Sequence, residues 1–199
     1  MRLILPKYME SANTVFLFGR PGSGKGTQAK LLADAQGWSV FSTGDQFKAM
    51  RDGEGPLSER VRAAYDAGKL TPDWFASYLF EGALLNLEPT AGVVCEGFPR
   101  TLPQAELAHD VLTWLKRSYT VLHLAVSEDE ALHRMIERAK EEHRPDSDDE
   151  SKVRARFDTY RTQTEPVLEF FKTQGKLVEI NGEQARESIL EDILKAVSK

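Results

Sequence analysis

The chain has one cysteine among its 199 residues. It therefore cannot close an intrachain disulfide, which fits a reducing compartment. Cys95 sits in the apolar run GVVCEG, where a free thiol is expected to be buried. Long hydrophobic runs are also missing, and with them any segment able to span a membrane. The N-terminal triplet Leu3-Ile4-Leu5 stops at Pro6, too short for a signal-peptide core. Residues 1–13 are expected as a loose leader on a cytoplasmic protein. The four histidines, His109, His123, His133 and His143, show no metal-ligand spacing, so no protein-ligated metal is expected. Basic charge is the scarcer sign: 26 Lys and Arg against 31 Asp and Glu leave a net charge of −5. That balance argues against nucleic acid or an anionic membrane surface as a partner.

What is present suits one compact domain with a real core, 41% hydrophobic against 29% charged. Four of the 14 glycines crowd into GRPGSGKGTQ, Gly19 to Gln28, straight after the apolar run TVFLF. Glycine at that density makes a poor strand and a poor helix. Helical spacing resumes at once with Ala29, Leu31 and Leu32, so the stretch reads as a loop clamped between a strand and a helix. A helix N-terminus offers unpaired N–H groups and the positive end of a dipole to an anion. Glycines let several N–H groups turn toward one phosphate, and Lys25 adds a point charge. The residues match G-x-x-x-x-G-K, but Gly26 stands where Ser or Thr should follow, and the hydroxyl comes one place later at Thr27. A glycine-rich connector with a chance lysine would share these residues; the flanking strand and helix favour a phosphate loop.

Strands are predicted at Thr14–Phe18, Ser39–Phe41, Gly92–Cys95, Thr120–Val126 and Leu177–Ile180, all short, apolar and mostly β-branched. Helical stretches separate them. Pro72 and Pro103 are expected at first helical positions, and Ser127-Glu128-Asp129-Glu130 reads as a capping box. The alternation predicts an α/β domain: a five-stranded parallel sheet flanked by helices on both faces. Ligands in such sheets sit at the carboxyl ends of the strands, where STGDQFK and EGFPR stand. The polar stretch from Arg138 to Arg156 has no apolar stripe. A solvated loop is one reading of it; its bordering arginines, in an acidic protein, favour a flap over polyphosphate.

GRPGSGKGTQ, FSTGD, GKLTP, EGFPR with Gln104 four residues after Arg100, and TYRTQTEPV together resemble the adenylate kinases, P-loop nucleoside monophosphate kinases. The resemblance runs from Val15 to about Ile180 and includes the Gly-Lys-Gly-Thr spelling. It implies reversible phosphoryl transfer from ATP to AMP giving two ADP, with Mg²⁺, in a monomer whose partners are these small nucleotides. Gly22, Ser23, Gly24, Lys25, Gly26 and Thr27 would wrap the ATP phosphates. Arg134 would cover the ATP adenine, and Gln184 would meet that base through its backbone. The AMP site would comprise Thr43, Lys48, Lys69, Leu70, Thr71, Gly97, Phe98, Pro99, Arg100 and Gln104, whose amide offers an adenine edge both a donor and an acceptor. Arg138, Arg144 and Arg156 would clamp phosphates, the last two reaching AMP as well, and with Lys25 and Arg100 they form the expected catalytic set. Mg²⁺ would be held through nucleotide and water near Thr27, Asp45 and Glu96. The whole chain 1–199 is then a single kinase domain, with a monophosphate-binding insertion at about 42–71 and a lid at about 138–150. Long-lid members carry a β-rich lid, some with a four-cysteine zinc site, so one cysteine points to the short-lid form.

The match has departures. Lys48 stands where the family usually has arginine, which keeps the charge and loses the bidentate fork. Glu96 replaces the usual aspartate ahead of Gly-Phe-Pro-Arg, a methylene longer in a network sensitive to about an ångström. Arg144 and Arg156 are one residue further apart than the family spacing. Two other functions remain open on the sequence. A UMP/CMP kinase is one, although Thr43 and Gln104 resemble the adenine-specific form. An adenylate-binding sensor without turnover is the other, against which Lys25, Arg100, Arg138 and Arg156 argue.

Overall fold

The computed structural model describes residues 14–67, 69–142 and 149–198, with Glu141 and Glu142 by backbone alone. The expected leader 1–13, Arg144 and the middle of the expected lid lie outside the described residues. Five strands form the sheet: β1 (Thr14–Phe18), β2 (Ser39–Ser42), β3 (Val93–Glu96), β4 (Tyr119–Ala125) and β5 (Leu177–Asn181). All are parallel, in the order β2-β3-β1-β4-β5. The helices between them are α1 (Lys25–Gln36), α2 (Thr43–Arg51), α3 (Pro56–Asp66), α4 (Asp73–Leu85), α5 (Leu102–Trp114), α6 (Glu128–Glu142), α7 (Glu150–Thr159), α8 (Glu165–Thr173) and α9 (Arg186–Val197). A π-helical turn, Tyr160–Thr164, joins α7 to α8.

Every residue of β1 is buried, and the two-residue period of a strand sorts them between two cores. Phe16 and Phe18 point into an aromatic-rich layer under α4, α5 and α8, with Phe41, Phe80, Phe98, Tyr119 and Phe171. Phe80 and Phe98 stack there with ring centroids 4.5 Å apart. Val15 and Leu17 face the aliphatic layer under α1 and α9, with Leu32, Leu122, Leu124, Ile189 and Ile193. A strand apolar from Val15 to Phe18 is thus explained by burial on both faces. A smaller cluster, Val126, Ala131, Met135, Val153 and Phe157, joins α6 to α7.

Several boundaries differ from the sequence expectation. β3 begins at Val93 and ends on Glu96, because Ser42 and Glu96 continue the β2–β3 register. Pro72 is the residue before α4 and Pro103 the second residue of α5, each one place from a first helical position. The box at Ser127 closes on one side only. The Glu130 N–H donates to Ser127 Oγ (3.4 Å), while the Ser127 N–H donates to Glu183 (2.7 Å). The Glu130 carboxylate accepts instead from Arg134 at 2.7 Å, a charge-assisted bond one turn along the same face. Cys95 is buried, as expected, and burial pushes its thiol pKa up. Arg117 is buried near the other end of the sheet. It donates to the carbonyls of Pro89 (3.2 Å) and Ala91 (2.6 Å) and to Thr14 Oγ1 (3.3 Å), tying the turn before β3 to the start of β1.

Candidate active site

The loop between β1 and α1 has the backbone its glycines predict. Gly22 sits at φ 86°, and a Cβ there would collide with the Ala131 carbonyl oxygen, so α6 packs against bare backbone. α1 then opens at Lys25, with Gly26 and Thr27 exposed in its first turn. Its first N–H groups face the space in front of the loop. Ser23 Oγ is buried under the loop with no hydrogen-bond partner among the described residues.

Lys25 folds back over the loop. Its Nζ donates to the carbonyls of Gly19 (2.7 Å) and Arg20 (3.0 Å). Burial lowers its pKa from 10.5 to about 8; Glu96 opposes the shift, and the cations Arg100, Arg156 and Arg138 add to it. Three arginines, from the segment after β3, from α6 and from α7, therefore add positive charge around one lysine. That is an electrostatically unfavourable gathering, which an anion would relieve. A cleft open to solvent is lined by Lys25, Glu96, Arg100 and Arg156 together with Leu70, Gly97, Phe98 and Pro99.

The EGFPR segment is cross-braced. Gly97 has φ 80°, and a Cβ on it would lie 2.6 Å from Thr43 Oγ1. Its carbonyl accepts from Thr43 Oγ1 (2.8 Å) and from Arg100 Nε (2.7 Å). The Arg100 carbonyl accepts from Thr164 Oγ1 at 3.0 Å, so the π-helical turn presses on the same strand end. Gln104 is 2% exposed and both ends of its amide have internal partners: Oε1 accepts from the Arg100 N–H, and Nε2 donates to Asp73, each at 2.8 Å. Glu96 accepts from Ser42 Oγ at 3.2 Å, the same hydroxyl that caps α2 by accepting from the Asp45 N–H.

The remaining expected residues lie around this centre. Lys48 is exposed in the last turn of α2, with no side-chain hydrogen bond or ion pair among the described residues. Lys69 is exposed and Thr71 half-buried between α3 and α4. Arg134 donates to the Gly182 carbonyl at 3.0 Å, which joins α6 to the turn after β5. The Gln184 side chain turns to Asn181 O and Asp192 (both 3.1 Å), toward its own turn and α9. Asp45 is exposed in the first turn of α2. Among the described residues, no three His, Cys, Asp or Glu side chains gather as a metal cage. The oxygen donors of Glu96 and Thr27 do suit Mg²⁺ held through water and phosphate.

Three contributors were not singled out in the sequence. Asp73 and Thr164 hold Gln104 and Arg100 from distant segments, beyond the reach of any local motif. Arg20, inside the loop, lies 3.5 Å from Glu128 at the start of α6 and 3.7 Å from Glu165 at the start of α8. Only its charge between two proline- and glycine-rich neighbours hinted at such ties.

A family model described as adenylate kinase matches residues 17–176. The adenylate kinase of Bacteroides fragilis is 38% identical over 184 residues, 92% of this chain and 97% of its own length. That of Maricaulis maris is 37% identical over 188 residues (93% and 98%), and that of a Synechococcus strain is 38% identical over 180 (90% and 92%). With the parallel sheet, the glycine loop and the converging cations already in place, these matches mean that the chain belongs to the adenylate kinase family of nucleoside monophosphate kinases.

Proposed function

We propose that this chain transfers the terminal phosphoryl group of ATP to AMP, reversibly, giving two ADP. The observation that carries the reading is the cleft beside the glycine loop that gathers Lys25, Glu96, Arg100 and Arg156, with Arg138 adding to the positive field at Lys25. An AMP phosphate oxygen attacks the γ-phosphorus in line, and the bond from that phosphorus to the β–γ bridging oxygen breaks. The nucleophile needs no base, which fits a site built from cations. Catalysis then rests on alignment and on charge neutralisation across the transferred group.

In this reading residues Gly22 to Thr27 hold the ATP phosphates, while Arg134 and the Gln184 backbone flank the ATP base. Thr43, Lys48, Lys69 to Thr71, Gly97 to Arg100 and Gln104 form the AMP side. Lys25 leaves its resting carbonyls for the outer phosphates, whose charge restores its proton affinity. Arg138, Arg156 and Arg144 neutralise the transferred group. Mg²⁺ would be held through nucleotide and water near Thr27, Asp45 and Glu96, and would supply charge neutralisation for the phosphates. The insertion 42–71, containing α2 and α3, and the lid 138–150 then exclude water from the transfer. A cytoplasmic monomer is the setting we propose; the lone buried cysteine is consistent with a reducing one. Among the described residues no helix is long and apolar enough to cross a membrane.

A coupled assay supplying ATP with AMP, CMP, UMP or GMP tests the reading. Fast turnover confined to AMP is expected. Preference for CMP or UMP would make it a pyrimidine enzyme, and binding without turnover would make it a sensor.

A further inference from the structure

The Gln104 amide has two possible flips, and its partners permit one. Its Oε1 accepts from the Arg100 backbone N–H, and its Nε2 donates to Asp73 Oδ1, both at 2.8 Å. Asp73 Oδ1 also accepts from Thr101 Oγ1 at 2.8 Å, so a second donor fixes the carboxylate where it stands. A backbone N–H can only donate and a carboxylate oxygen only accept. Turning the amide over would set nitrogen against N–H at one end and oxygen against carboxylate at the other. At 2% exposure, no water is at hand to repair either mismatch. The lock is assembled from the first residue of α4, the N-terminus of α5 and the segment after β3.

We propose that Asp73 is a specificity-determining positioning residue, which with the Arg100 N–H holds the Gln104 amide in one flip so that the site reads the hydrogen-bond polarity of the acceptor base. The inference rests on the proposed AMP reaction. An amide has two N–H groups and two carbonyl lone pairs, and the lock leaves one of each. That pair complements a base edge that sets an acceptor beside a donor, as adenine does with N1 and N6–H. It opposes the reversed edge of hypoxanthine, N1–H beside O6. Thr43 is polarised in the same sense, since its hydroxyl hydrogen is committed to the Gly97 carbonyl and only its lone pairs remain. Rejection of a reversed edge that leaves buried polar groups facing their own kind is strong.

Inosine monophosphate tests this directly, because it differs from AMP at that edge alone. Asp73→Asn keeps the shape but presents either an oxygen or an NH₂ to Gln104, so it loosens one end of the lock. Asp73→Ser, with a hydroxyl that both donates and accepts and suits a helix start, does the same by another route. Asp73→Glu keeps an acceptor-only group. We expect Asn and Ser to narrow the AMP-to-IMP ratio of kcat/KM by about tenfold, the scale of one well-placed hydrogen bond, with the KM for ATP unchanged. Glu should hold the ratio within about threefold of wild type. The change in net charge cancels in the ratio, since AMP and IMP carry the same phosphate. Equal losses on AMP and IMP in both the Asn and Ser proteins would reduce Asp73 to a structural role and overturn the proposal. A wild-type protein that makes no ADP from ATP and AMP would instead overturn the reaction reading, a separate outcome of the same plates.

Discussion

Lys25→Met should give a protein that is nearly inactive and close to wild type in stability at pH 7. The lysine is held among Arg100, Arg138 and Arg156 with its pKa lowered from 10.5 to about 8. That shift corresponds to about 3 kcal/mol of destabilisation of the charged form. The folded state has the lower pKa, so between pH 8 and 10.5 the unfolded chain binds more protons and stability rises with pH. The burden is therefore full below pH 8 and gone above 10.5. Methionine removes it, and also removes two charge-assisted bonds to carbonyls at 2.7 and 3.0 Å, each worth at least about 1.5 kcal/mol. The two offset each other at pH 7, so Tm should stay within about 3 °C of wild type for a chain of this size. Turnover should fall at least about a hundredfold, as when a charged transition-state contact is lost. Calorimetry from pH 7 to 10.5 and the coupled assay read the two effects separately. A folded Lys25→Met protein with wild-type turnover refutes the phosphate-loop assignment. A variant that melts several degrees below wild type at pH 7 refutes the electrostatic argument.

Lys48→Ala removes an exposed cation that has no side-chain partner among the described residues. The KM for AMP should rise about tenfold to a hundredfold and that for ATP hardly move, while Lys48→Arg should tighten AMP; equal small effects on both substrates would remove Lys48 from the AMP site. Arg117→Ala strands the carbonyls of Pro89 and Ala91 and the Thr14 hydroxyl. A loss of about 3 kcal/mol is expected, read as a lower urea midpoint at constant slope with turnover per folded molecule unchanged. Ser42→Ala uncaps α2 and releases Glu96 together. It should cost about 1 kcal/mol of stability and weaken the Mg²⁺ dependence of the rate; an effect on stability alone would separate Ser42 from the Glu96 network.

The parts legible in the sequence are those whose physics is local. The glycine loop needs Gly and Lys in a fixed order between a strand and a helix, and GRPGSGKGTQ spells that out. Doubly buried strands need continuous apolar runs, and TVFLF is one. The missed parts depend on residues far apart in sequence. Nothing in TPD announces that Asp73 grips an amide 31 residues on. The π-helical turn at Tyr160–Thr164 carries no glycine or proline of its own; the Thr164 bond to Arg100 accompanies it. The resting place of Lys25 was equally hidden, because a motif names the ligand a lysine meets and not the carbonyls it leaves.

The position of β1 at the middle of the sheet bears on how the chain is made. It is the first described strand, and its two neighbours pair Thr14 with Val93 and with Tyr119. During translation TVFLF therefore emerges with both faces apolar and no partner strand until β3, nearly half the chain away, has left the ribosome. Such non-local pairing delays folding and leaves a sticky segment exposed meanwhile. Nascent chains cut before Tyr119 should bind holding chaperones through this segment, and release should coincide with the synthesis of β4.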